Sequence, residues 1–246
     1  MMAVAKELLS CHRLYKNNRT VEQYFHKGFI LAALLLLDAN TSRRWEYWLK
    51  ACDKGALPAD PIPQIDWLKY LGTPENRAAA ADLLKCCEQG EANQFLDWLL
   101  HGFGYDAPPS WADADIRTLE HWEKHFGDAF PAMMLYPAAY FTDLLQEIIS
   151  KYKRSNTGCF PTPMHVSVCM AEMTFSDNPR GKAASVCDPC CGAGNMLLAA
   201  SNYSLNLYGQ DINELLLKGL KVQAFMYVPW IMLMPDHIQK LFEEAN

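Results

Sequence analysis

The sequence predicts an α/β protein: an all-helical domain over residues 1–150, then over 151–246 the beginning of an α/β domain with a parallel sheet. Three observations carry this. Apolar residues recur at helical spacing through the first part. A short apolar run, Ala183 to Cys187, then ends in Asp188-Pro189 and a turn containing two glycines. Beyond it, strand, helix, strand and helix alternate at a spacing that implies parallel pairing.

In the first part, Glu22 to Asn40, Ser42 to Lys50, Pro74 to Gln89 and Ala92 to Leu100 each space their apolar residues for a helix. Thr73 stands where an N-cap belongs, with Pro74 at the first helical position and the Ala-rich run Arg77 to Leu84 behind it. Breaks fall at Leu57 to Pro63, with its three prolines, and at Gly102 to Pro109. Tyr136-Pro137 opens another helix running to about Tyr152. Trp45, Trp48, Trp67, Trp98, Trp111 and Trp122 fall within helical patterns and read as packing aromatics rather than a platform for stacked bases.

The texture changes near residue 150. Lys151 to Gly158 is polar and turn-like, and Phe160-Pro161-Thr162-Pro163 leads into an apolar helix over Met164 to Phe175. Ser176 to Lys182 is a turn-rich connector. Ala183 to Cys187 is a strand, Asn195 to Ser201 a helix, Asn206 to Gln210 a second strand, and Ile212 to Tyr227 a helix broken near Pro229.

Composition narrows the function. Half the 246 residues are apolar, enough to bury a core in one domain or two. Residues 1–150 carry 14 Lys/Arg against 20 Asp/Glu, and the rest 8 of each, so the net −6 sits in the first part. Nucleic-acid affinity rests on neutralising phosphates, and the only compact basic cluster is Lys151-Tyr152-Lys153-Arg154, so tight DNA binding by this chain alone is not expected. Nine cysteines in no disulfide framework, with no signal peptide, point to free thiols and a cytoplasmic setting. The longest apolar run, Gly28 to Leu37, is half what a bilayer needs, so no membrane span is expected. Cys187, Cys190 and Cys191 offer one C-x-x-C without a fourth ligand at familiar spacing, and His121 and His125 stand four apart with no acid evident beside them; no metal site is expected.

The informative stretch is Asp188-Pro189-Cys190-Cys191-Gly192-Ala193-Gly194-Asn195. An acid and a proline stop a strand, glycines let backbone N–H groups approach a ligand, and a helix begins. Tyr208-Gly209-Gln210-Asp211 ends the second strand in another acid, 23 residues after Asp188, where a nucleoside-binding sheet holds ribose hydroxyls.

With Phe160-Pro161-Thr162-Pro163 before the turn and Asp211-Ile212 after it, residues 157–234 resemble the S-adenosylmethionine-binding half of the N6-adenine DNA methyltransferases, above all the modification subunits of type I restriction systems. The resemblance implies a truncated Rossmann-like methyltransferase domain over 151–246, with S-adenosylmethionine as cofactor. It implies that Asp188, Pro189 and Cys190 anchor a turn in which Gly192 and Gly194 admit the methionine end, with Asn195 opening the helix. Asp211 would accept the ribose hydroxyls, Ile212 would pack on adenine, and Phe160, Thr162 and Pro163 would close the methionine end. It further implies DNA as substrate, bound weakly without a partner protein, and a specificity or catalytic partner subunit.

The departure lies in catalysis. Attack by the adenine amine needs an Asp or Asn, two prolines and an aromatic residue, to accept the amine's hydrogens and stack on the flipped base. No such motif occurs in these 246 residues. Tyr227-Val228-Pro229-Trp230 has no leading Asp or Asn, and in Asp106-Ala107-Pro108-Pro109-Ser110-Trp111 the acid and the aromatic are each displaced by one. The sequence therefore predicts cofactor binding, with methyl transfer either dependent on a partner or lost. The alternative is a binding or regulatory module without catalysis; a small-molecule or protein methyltransferase ranks lower because the Thr-Pro element points to the DNA group.

Overall fold

The structure is a computed structural model that describes Val4 and residues 26–87, 91–106, 110–151, 160–176 and 181–245. Among the described residues, seven α-helices with stated bounds precede the sheet: α1 (Leu31–Ala39), α2 (Arg44–Lys54), α3 (Pro74–Lys85), α4 (Ala92–Gly102), α5 (Ile116–Leu135), α6 (Tyr140–Lys151) and α7 (Met164–Phe175). Then come β1 (Ser185–Asp188), α8 (Asn195–Ala200), β2 (Asn206–Gly209), α9 (Glu214–Tyr227), α10 (Pro229–Met232) and α11 (Asp236–Ala245). Among the described residues the sheet has two strands, paired in parallel with Ser185 opposite Asn206 and Asp188 opposite Gly209. A parallel pair needs a crossover, and α8 provides it.

Local chemistry sets the boundaries. Thr73 Oγ1 accepts the Asn76 amide at 3.3 Å with Pro74 in the first turn, as expected. Asp115 caps α5 by accepting the Thr118 amide at 2.7 Å, and Asn213 caps α9 by accepting that of Leu215 at 3.0 Å. Helix α7 spans the predicted Met164 to Phe175.

Other elements depart from expectation. Helix α1 begins only at Leu31, after a turn at Lys27 to Ile30. Helix α6 begins at Tyr140 rather than Tyr136, because α5 runs up to Leu135 and the residue before Pro137 is pushed out of helical geometry. The sequence reading did not delimit α5, whose 20 residues continue through Pro131, nor α11. Trp67 lies in non-helical chain and Trp111 in a 3₁₀ turn, Ser110–Asp113, although both are buried like the helical tryptophans. The Ala107-Pro108-Pro109 run, Cys159 and the basic cluster beyond Lys151 lie outside the described residues.

One hydrophobic core extends from Phe29 to Phe242 and passes both sides of residue 150. On α4 and α5, Phe95, Trp98, Trp122 and Phe126 pack ring against ring, with centroids of Trp98 and Trp122 5.9 Å apart. Arg44 of α2 joins the helical part to the sheet part. Fully buried, it donates to Pro63 O at 2.8 Å, Ser201 Oγ at 2.7 Å and Tyr227 O at 3.1 Å, and also to Asn202 Oδ1. Its guanidinium lies 5.2 Å from the Trp230 ring, and burial draws its pKa down to about 9, so it remains a cation at neutral pH. Trp45 on the same helix donates its indole N–H to Phe225 O at 2.7 Å.

Candidate functional site

The ends of the two strands are stitched together. The Gln210 amide donates to Asp188 O, and the Cys191 amide returns the bond to Gln210 O, both at 2.9 Å. Asp188 Oδ1 accepts the Cys190 amide at 3.1 Å, closing the turn on its own acid. Asp211 holds the same turn from the second strand: Oδ2 accepts the Gly192 amide at 2.8 Å, and Oδ1 accepts that of Asn213 at 2.8 Å.

Two glycines are required here by geometry. Gly192 and Gly194 have φ of +54° and +101°, where other L residues are strained. A Cβ on Gly194 would stand 2.4 Å from Leu220 Cδ1, whereas one on Gly192 would meet no atom within 4 Å. Gly194 thus lets α9 approach, and Gly192 leaves a space.

That space belongs to a cleft of about 280 Å³ near the lower end of small-ligand sites. Asp188 to Met196 form one wall, Phe160 to Thr162 another, and Asp211, Ile212, Leu216 and Thr142 complete the lining. Every residue singled out from the sequence lines it except Pro163, which sits at the start of α7 and faces a neighbouring hollow. Phe160 is 91% exposed and Ile212 100% exposed, so two large apolar side chains stand bare at the cleft's edges. Pro189 and Cys190 are exposed, while Cys191 is buried, and burial, followed by the Asp188 and Asp211 carboxylates, pushes its thiol up to about 12.

Asn195, 8% exposed, ties the walls together. Its Nδ2 donates to Thr162 O at 2.9 Å, and its Oδ1 accepts the Thr142 hydroxyl at 2.7 Å. Sequence patterning does not mark Thr142, or Gln223, which is fully buried and donates to Ala193 O at 2.7 Å. Both lie on helices whose apolar periodicity conceals a polar side chain turned inward.

Among the described residues no three His, Cys, Asp or Glu side chains gather as metal ligands. One expectation about the histidines is corrected. An acid does lie beside them, since α3 brings Asp82 to 3.9 Å from His125 Nδ1, a proximity that tertiary packing creates and sequence spacing hides. No helix among the described residues is long and apolar enough to cross a membrane.

Residues 138–227 match the family model described as N-6 DNA Methylase. Type II methyltransferase M.VspI of Vibrio sp. (strain 343) is 31% identical over 80 residues, which are 31% of this chain and 19% of that protein. The chain thus spans about a fifth of that relative's length. No solved structure matches. The family match starts upstream of α6, so it includes Thr142 as well as the glycine turn, Asp211 and Gln223. Over residues 138–227, this chain is thus similar to the N-6 DNA methylase family.

Proposed function

We propose that the cleft binds S-adenosylmethionine and serves adenine-N6 methylation of DNA. In this reading residues 151–246 open a Rossmann-like methyltransferase domain, with the helical residues 1–150 ahead of it. The observation that carries the reading is the convergence of the glycine turn after β1 and the acid after β2 on one cleft, through the 2.8 Å bond from Gly192 to Asp211, inside the segment that matches the methylase family.

The residues present fit that ligand. At Gly192 the backbone is bare where a side chain would enter the cleft. Each Asp211 oxygen accepts one amide, and a carboxylate oxygen has a second lone pair for a sugar hydroxyl. Ile212 and Phe160, both in the lining, supply exposed apolar surface for the adenine and the methionine end. Asp188, Pro189 and Cys190 belong to one wall, and Asn195 ties it to the Phe160 to Thr162 wall, which Pro163 follows at the start of α7. When bound, the ligand supplies an electrophilic methyl group on its sulfonium. This chain's residues orient it and exclude water; they include no Asp/Asn-Pro-Pro-aromatic run to accept the adenine amine's hydrogens. We assign that role to a partner chain, which would also strengthen the weak hold on DNA expected from a net charge of −6.

Titration calorimetry tests the binding. Wild-type protein is expected to bind S-adenosylmethionine, and Asp211→Ala to weaken it at least about tenfold, since loss of a charged hydrogen-bond acceptor is typically worth that much. No binding by wild type, or unchanged binding in the variant, defeats the reading. The same missing run favours a second reading, a cofactor-binding regulatory module. Transfer of labelled methyl to unmethylated DNA in the presence of the partner excludes it, and binding without transfer supports it.

A further inference from the structure

Three buried side chains form one hydrogen-bonded relay at the cleft, reaching its lining at Thr142 and Asn195. Gln223 is fully buried, Thr142 is 4% exposed and Asn195 is 8% exposed. The backbone fixes the orientation of each. The Phe141 amide can only donate, so at 3.2 Å it faces Gln223 Oε1. Ala193 O can only accept, so at 2.7 Å it faces Gln223 Nε2. Thr162 O likewise claims Asn195 Nδ2 at 2.9 Å, leaving Asn195 Oδ1 to accept the Thr142 hydroxyl at 2.7 Å. Thr142 Oγ1 in turn accepts from Gln223 Nε2 at 3.4 Å. Every polar group in the relay has a partner, a condition under which buried polar networks confer rigidity.

The two carbonyls at the ends of this relay belong to the two walls of the cleft: Ala193 lies in the glycine turn, and Thr162 lies in the Phe160 to Thr162 segment. The relay also satisfies a free amide in the first turn of α6. We propose that Thr142 and Gln223 are positioning residues that set the spacing between the two walls of the cleft, so that its readiness for ligand is decided by a relay anchored on α6 and α9. The ligand's identity rests on the S-adenosylmethionine reading above; the spacing role does not.

The test uses the full chain and three variants. Thr142→Val keeps the shape and removes the hydroxyl. Thr142→Ser keeps the hydroxyl. Gln223→Glu places an acceptor opposite Ala193 O where a donor stood. The first readout is amide hydrogen exchange without ligand. Exchange at residues 190–194 is expected to rise about tenfold in Thr142→Val and Gln223→Glu, to stay near wild type in Thr142→Ser, and to remain unchanged in helix α3. The second is calorimetry with S-adenosylmethionine, whose Kd should rise about tenfold in Thr142→Val and recover in Thr142→Ser. Unchanged exchange in the turn overturns the proposal, as does an equal rise in α3, which would mark general destabilisation. If Gln223→Glu does not fold, the two Thr142 variants decide alone. If wild type fails to bind while exchange responds as expected, the cofactor reading falls and the positioning role stands.

Discussion

At the scale of single residues, the cleft depends on backbone conformations that few side chains tolerate. Gly194 combines φ of +101° with a Cβ position 2.4 Å from Leu220 Cδ1, so strain and overlap act together. Gly194→Ala is expected to lower stability by about 1–3 kcal/mol, measured by urea unfolding. The cysteines around the turn should differ sharply in reactivity. Cys187 and Cys190 are exposed, whereas Cys191 is buried with its thiol raised to about 12. Alkylation by iodoacetamide at pH 8, read by mass spectrometry, should label the first two and spare Cys191, because the thiolate is the reacting form. Saturating S-adenosylmethionine should then protect Cys190, which lines the cleft. Labelling of Cys191 at the rate of its neighbours would contradict the burial seen here.

At the scale of elements, a pH-sensitive contact joins α3 and α5. His125 and His121 meet edge to face with ring centroids 4.4 Å apart, and Asp82 approaches His125. Burial lowers the His125 pKa, and His121, Lys85 and Lys124 lower it further against the opposing pull of Asp82. A depressed imidazole pKa means that the unfolded chain takes up a proton first. The contact's stability is therefore full above pH 6.5, the ordinary value, and declines as pH falls below it. Melting temperature should drop between pH 7.5 and 5.5, and His125→Asn should flatten that drop. An equal drop in the variant would assign it to other groups.

Elements also show what could be read in advance. Helix α7 and the capped start of α3 were legible because their signals are local: a proline just before the first turn in one, a Thr-Pro pair in the other. Both strands were legible because a short apolar run stops at an acid. Helix α5 was not delimited, since Pro131 interrupts a run whose continuation depends on packing of Phe126, Phe130 and Met134 into the core. Within the site, the glycines and acids announce themselves by type. Thr142, 53 residues before Asn195, and Gln223, 30 after Ala193, do not, because their importance comes from tertiary contact alone.

At the scale of the molecule, Arg44 and the core it joins make the helical and sheet parts mutually dependent. Arg44→Leu would leave the acceptors at Pro63, Ser201, Asn202 and Tyr227 without their donor. A loss of about 3 kcal/mol or more is expected, as for breaking other buried charged contacts. Unfolding should remain one transition, seen at the same denaturant concentration by hydrogen exchange in α4 and α5 and in β1 and β2. Two separated transitions would show that the parts unfold independently.

The reach of Arg44 also has a consequence in time. Its guanidinium meets Tyr227, 183 residues further along the chain. With synthesis at about 5–20 residues per second, that acceptor emerges roughly 10–40 s after the arginine itself. During this interval α2 holds a cation destined for a dry interior, with water as its only hydrogen-bonding stand-in for the missing sheet half. The growing chain therefore cannot complete the core that Arg44 joins until Tyr227 has been made, and a chaperone that shields α2 would have its work concentrated in those seconds.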